Sequence, residues 1–199
     1  MVELVLLDTN AYLRLAKRIQ PFLGKEFGQK RYKLTILKLV EDEVRRQPRL
    51  SARYPWFENE PFKSERLAKR INLKAAEKEK LSAATSVLLQ YVGKNASDFM
   101  RGGRSPPSRE DCYCLAFGQI RPAIVVTDDV GMHDLADIFD LPIWHGYELL
   151  KKMLSAKMID NDKVREIYEA LEINGDLTKT WKDAKHKDFK KIFGKAKTR

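Results

Sequence analysis

Apolar positions recur along this chain in two periods. Val2-Glu3-Leu4-Val5-Leu6-Leu7, Ala123-Ile124-Val125-Val126-Thr127 and Leu141-Pro142-Ile143-Trp144 are near-continuous apolar runs bounded by turn or charged residues, which predicts strands buried on both faces. Tyr32-Lys33-Leu34-Thr35-Ile36 alternates more, which predicts a strand nearer a sheet edge. Helical segments separate these four runs. Leu39, Val40 and Val44 recur at helical spacing after the second. Residues 48–62 hold Pro48, Pro55 and Pro61 beside Trp56, Phe57 and Phe62, which predicts an extended, aromatic-bearing connection. The spacing of Leu67, Ile71, Ala75, Ala84, Leu88 and Tyr91 predicts one long helix from about Ser64 to Tyr91. Met100 to Ser108 reads as a loop, with Ser108 as N-cap of the next helix. Val164, Ile167, Tyr168 and Leu171 share one face of a later helix, and Trp181, Ala184, Phe189 and Ile192 form a terminal stripe. Strands alternating with helices predict an α/β fold with a central parallel sheet of four or five strands and crossover helices.

Composition narrows the class. A chain of 199 residues with 43% hydrophobic and 33% charged residues has the balance of a soluble globular domain. No apolar stretch approaches the roughly 20 residues of a membrane span, and the start reads as strand rather than signal peptide, so a cytoplasmic location is expected. Cys112 and Cys114, two apart on a predicted helix, point in different directions and read as buried thiols, without zinc spacing. The formal net charge of +10 implies an acidic partner, with nucleic acid favoured and no membrane expected.

Against that excess of positive charge, four acids stand at strand ends and helix starts. Asp8 ends the first strand, where open α/β sheets bind ligands. Glu43 or Glu41 follows the second strand, Asp111 opens the helix before the third, and Asp129 follows the third. Each alone is explained by helix capping, by the helix dipole or by solvent exposure. Together they suggest a site for hard divalent cations such as Mg2+ or Mn2+, which need oxygen ligands and can clamp an anionic phosphodiester.

In these motifs the chain resembles the PIN-domain nucleases, including the VapC-type ribonucleases of toxin–antitoxin pairs. The matching segments are Leu6-Leu7-Asp8-Thr9-Asn10, Leu34-Thr35-Ile36 with Val40-Glu41-Asp42-Glu43-Val44, Asp111-Cys112-Tyr113-Cys114-Leu115-Ala116, and Thr127-Asp128-Asp129 with the short strand after it. The resemblance implies a three-layer α/β/α domain over residues 1–149, with a basic insertion over about 48–107 and a basic helical extension over 150–199 that depart from the small toxin members. It implies a metal-dependent ribonuclease with Asp8, Glu43, Asp111 and Asp129 as ligands, Glu41, Asp128 and Asp134 as alternates, and Asn10 and Thr127 in support. RNA is the expected partner, cut to leave a 5′-phosphate and a 3′-hydroxyl. DNA, a homodimer and an antitoxin protein stay open.

Substrate contacts are expected from Arg101, Arg104 and Arg109 in the loop before Asp111, and from the terminal basic helices, where Lys182 and Lys190 stand. Trp56, Phe57 and Phe62 either stack on bases or pack the insertion onto its domain. His133 and His145 read as structural. Three alternatives compete with this reading. A phosphatase of the haloacid-dehalogenase class would need Asp where Asn10 stands. A structure-specific DNA nuclease would use the basic stretch 63–80 as an arch. A non-catalytic nucleic-acid-binding module would not need all four acids.

Overall fold

A computed structural model describes residues 2–100 and 103–195. Its centre is a five-stranded sheet of order β2-β3-β1-β4-β5, formed by β1 (Glu3–Leu7), β2 (Glu26–Phe27), β3 (Tyr32–Thr35), β4 (Ala123–Val126) and β5 (Ile143–Trp144). All neighbours are parallel except β2, which pairs antiparallel with β3. The expected parallel α/β sheet is present, with one antiparallel strand added at its edge. A two-residue strand is too short to carry a period, so β2 left no trace in the sequence pattern. The fourth run begins pairing only at Ile143, because Pro142 has no N–H to give the ladder, although its carbonyl accepts from Val125 N at 3.0 Å.

The apolar runs are continuous because both sheet faces are covered. Val5, Leu7, Ile124 and Val126 point to one core; Leu6, Ala123 and Val125 point to the other. The first core is closed by α1 (Thr9–Leu15), α9 (Gly146–Ser155), α10 (Asn161–Ile173) and α11 (Lys179–Lys187). The second is closed by α5 (Ala75–Lys94), α7 (Arg109–Ile120) and α8 (Val130–Ile138). Helix, sheet and helix thus form the three expected layers. Val164, Ile167, Tyr168 and Leu171 are buried as the spacing predicts, and Trp181, Ala184 and Phe189 are buried in the terminal segment. Trp181 and Phe189 share the sheet's first core, and residues 149 and 150 fall within α9.

The insertion departs from expectation. Residues 48–62 are not extended: α3 (Pro48–Arg53) and a 3-10 turn (Pro55–Glu58) each start on a proline, and Pro61 precedes α4 (Phe62–Lys69). Proline suits a first helical position, where its missing N–H has no partner to lose. The single long helix is also two. It breaks over 70–74, and α5 restarts with Glu77 accepting from Lys74 N at 2.8 Å. Glu77 in turn holds Arg121 through two contacts of 2.7 and 2.9 Å. The buried stripe of α5 is Leu81, Thr85, Leu88 and Val92, while Leu67 is exposed. No Gly or Pro marks this break, so periodicity ran across it.

Trp56 and Phe57 are buried against Tyr12, and Phe62 packs on Trp56, so the aromatics anchor the insertion. Stretch 63–80 is docked too: Glu65 accepts from Phe22 N and Leu23 N, and Arg70 pairs with Glu41. It is not a free arch. Arg66, whose cationic side chain predicts exposure, is fully buried with its guanidinium 3.5 Å from the Phe57 ring centroid, a desolvated cation–π contact. Among the described residues no helix is long and apolar enough to cross a membrane.

Candidate active site

The connection leaving β1 runs toward β3 while that leaving β4 runs toward β5, so the chain diverges at the carboxyl ends of two adjacent strands. That divergence opens a crevice. Asp8 and Thr127 face each other across it. Asp8 N continues the ladder to Val126 O at 3.1 Å. Asp8 Oδ1 accepts from Ala11 N and so caps α1, and Oδ2 accepts from Thr127 Oγ1. Thr127 Oγ1 also accepts from Asp129 N at 3.1 Å, and Asp129 Oδ1 caps α8 through Met132 N at 2.9 Å.

The other two acids arrive on helices. Glu43, on α2 (Lys38–Arg46), accepts from Thr9 Oγ1 at 2.5 Å and from Gln47 Nε2 at 2.9 Å. Asp111 forms a reciprocal capping box with Ser108, as the Ser-x-x-Asp spacing allows. Asp8, Glu43 and Asp111 line one small cavity of about 30 Å³ with Thr9, Asn10 and Glu110. That is room for a water or a single ion. Asp129 is exposed at its side, close enough for its charge to act on Asp111.

Electrostatics follow from this crowding. Burial pushes the Asp8 carboxyl from its ordinary 3.8 up to about 7, against the opposing pull of the Thr127 and Ala11 hydrogen bonds. Burial likewise raises Asp111, and the Asp129 charge adds to it. These are carboxylates short of positive charge. The carboxylate and hydroxyl oxygens around this water-sized cavity suit a hard divalent cation in chemistry, although the Cys114 thiol lines it too. The side chains as they stand serve the helix caps: among the described residues no three His, Cys, Asp or Glu are gathered closely enough to hold a metal ion.

The alternates lie elsewhere. Glu41 is fully buried and pairs with Arg45 at 3.3 Å and Arg70 at 3.4 Å, on the opposite side of α2 from the cavity lining. Asp128 is a buried tie between elements: it accepts from Arg14 at 2.6 Å, from Trp181 Nε1 at 2.8 Å and from Gly146 N at 3.0 Å. Asp134 is exposed and lines a separate depression with Arg104 and Asp98. His133 Nε2 donates to Thr127 O at 3.0 Å, and its ring stacks on His145 at 3.7 Å between centroids, which makes it a structural contact beside Thr127. Cys112 and Cys114 are buried, and burial raises both thiols, Cys112 to about 12.

Of the expected substrate contacts, Arg101 lies outside the described residues. Arg109 lies in a groove beside the cavity, Arg104 in the depression with Asp134, and Lys182 and Lys190 are exposed on α11 and on α12 (Lys190–Phe193). Sequence reasoning missed Arg14 and Trp181, whose partner Asp128 is more than fifty residues from either, and no local signal links them. Thr9 was readable only as part of the Asp-Thr-Asn motif.

No protein-family model and no curated protein matches the chain. Among solved structures it is similar to the crystal structure of FitAcB from Neisseria gonorrhoeae, at 13% identity over 72% of this chain and 98% of that one, with a TM-score of 0.45. At that score the likeness carries no argument, and the site's own geometry has to.

Proposed function

We propose that this chain is a PIN-like ribonuclease that hydrolyses RNA phosphodiester bonds with the help of Mg2+ or Mn2+. The observation that carries the reading is the meeting of Asp8, Glu43 and Asp111 around one small cavity at the sheet's switch point, with Asp129 alongside. In this reading those four acids hold the cation, with Asp111 Oδ1 and Asp129 Oδ2 outside the helix-capping bonds and available to it. The bound ion would neutralise the phosphate and lower the pKa of a water. Thr127 fixes Asp8, Thr9 fixes Glu43, and Asn10 stands at the rim for substrate. The 3′ oxygen leaves, giving a 5′-phosphate end.

Cleavage of end-labelled single-stranded RNA and DNA, with Mn2+ or with EDTA, tests this in wild type and Asp8→Asn. The expected result is metal-dependent loss of RNA by wild type alone. Cleavage retained in Asp8→Asn would falsify the assignment. A second reading, an RNA-binding module without catalysis, is favoured by the absence of a ready three-acid cluster among the described residues. It predicts RNA binding with no cleavage under any metal.

A further inference from the structure

A depression of about 890 Å³ runs beside the acidic cavity between α2, the break between α4 and α5, and the start of α7. The two share Leu39 and Glu110 as lining, so the groove opens directly onto the candidate site. Six basic side chains line it against the acids Asp42 and Glu110. Arg45, Arg46 and Arg70 are held in ion pairs with Glu41, Glu58 and Glu110. Lys38, Lys78 and Arg109 have no ion pair among the described residues, and all three are exposed. The floor is different in kind: Leu39, Ile71, Leu73 and Tyr113 present apolar and aromatic surface. Arg109 and Tyr113 are four apart on α7, hence on one face, while Asp111 between them faces the cavity.

We infer that this groove is the track along which a single strand of RNA reaches the acidic cavity, with its phosphates on Lys38, Lys78 and Arg109 and a base against Tyr113. The inference rests on the ribonuclease reading and supplies what that reading lacks, a substrate path. A duplex shows phosphates outward and stacks its bases inside, so it has no use for an apolar floor. An unpaired strand exposes both, and a cationic rim over an aromatic floor matches it. The α4–α5 break makes the groove: a continuous helix through 70–74 would not present Ile71 and Leu73 there with Arg70. The insertion thus has a binding role through its break rather than through Trp56, Phe57 or Phe62.

The test is fluorescence anisotropy of the full chain with a labelled single-stranded RNA, its DNA counterpart and an RNA duplex, in EDTA so that cleavage cannot interfere. Lys38→Ala/Lys78→Ala/Arg109→Ala should weaken single-stranded RNA binding roughly tenfold or more and lower the salt slope by about two to three. Tyr113→Ala should weaken it about tenfold, while Tyr113→Phe, which keeps the ring, should bind as wild type. Lys25→Ala/Lys30→Ala/Lys157→Ala removes the same charge from exposed positions around the β2 edge of the sheet and should leave binding unchanged. Equal weakening by both triple variants, tighter binding of duplex or DNA, or no effect of the groove variants would overturn the inference. Because binding is read without metal, its failure is separable from that of the ribonuclease reading, which falls on Asp8→Asn cleavage alone.

Discussion

Asp128 offers the sharpest separation between a structural carboxylate and a proposed ligand, because it sits next to Asp129 in sequence and makes different contacts. Its side chain is 3% exposed and ties α1, α9 and α11 to the end of β4. Asp128→Ala strips a charged acceptor from Arg14, from the Trp181 indole N–H and from the Gly146 N–H. Removing one partner of a buried ion pair costs about 3–5 kcal/mol. Arg14 is 14% exposed and gains some water in exchange, which places the expected loss at the lower end, about 3–4 kcal/mol. For a chain of this size that is a fall in melting temperature of about 10 °C. Asp128→Asn keeps one carbonyl oxygen for one donor and should lose about half as much. The assay is guanidinium unfolding in EDTA, paired with RNA cleavage corrected for the folded fraction. Asp128→Ala should be destabilised yet cleave normally per folded molecule, while Asp129→Asn should lose cleavage with stability within about 1 kcal/mol of wild type. The reverse pattern, Asp128→Ala fully stable but inactive, would refute the structural role and move Asp128 into the proposed site.

Other outcomes follow from the same geometry. In metal-free protein the folded state keeps a proton on Asp8 between its ordinary 3.8 and about 7, so this group's stability contribution is complete at low pH and fades as pH rises through that window. Wild type should therefore lose up to about 4 kcal/mol relative to Asp8→Asn between about pH 4 and pH 7.5 in urea unfolding with EDTA; parallel pH curves for the two proteins would contradict it. Cys112 and Cys114, buried and with raised thiols, should resist a disulfide reagent at pH 8 until the chain is unfolded, which a colorimetric thiol count follows with time. Gly146→Ala should cost about 1–3 kcal/mol in chemical unfolding, because its Cβ would stand 2.8 Å from the Trp181 ring and 3.2 Å from Asp128 Oδ2.

The sequence by itself determined the sheet's parallel strands and which acids stand at the ends of β1 and β4 and at the start of α7. Runs such as Val2–Leu7 and Ala123–Thr127 are apolar without alternation because both faces are buried, so the burial that drives folding is written into consecutive residues. The helix starts at Asp8, Asp111 and Asp129 were legible because each carboxylate caps a helix next to a recognisable element, and capping is local chemistry. What the tertiary structure alone decided depends on residues far apart in the chain. Which acid of α2 lines the cavity depends on how the helix turns on the sheet: Glu43 faces Thr9, and Glu41 faces Arg70. The structural role of Asp128 needs Arg14 and Trp181, brought to it from opposite ends of the chain. The α4–α5 break carries no Gly or Pro; it is fixed by the Glu77 cap and by Arg121, and it opens the groove beside the acids. Periodicity records what each segment buries. It does not record which distant partner stabilises a charge inside the fold, and for Asp128 that partner, Arg14 with Trp181, makes it a tie between elements.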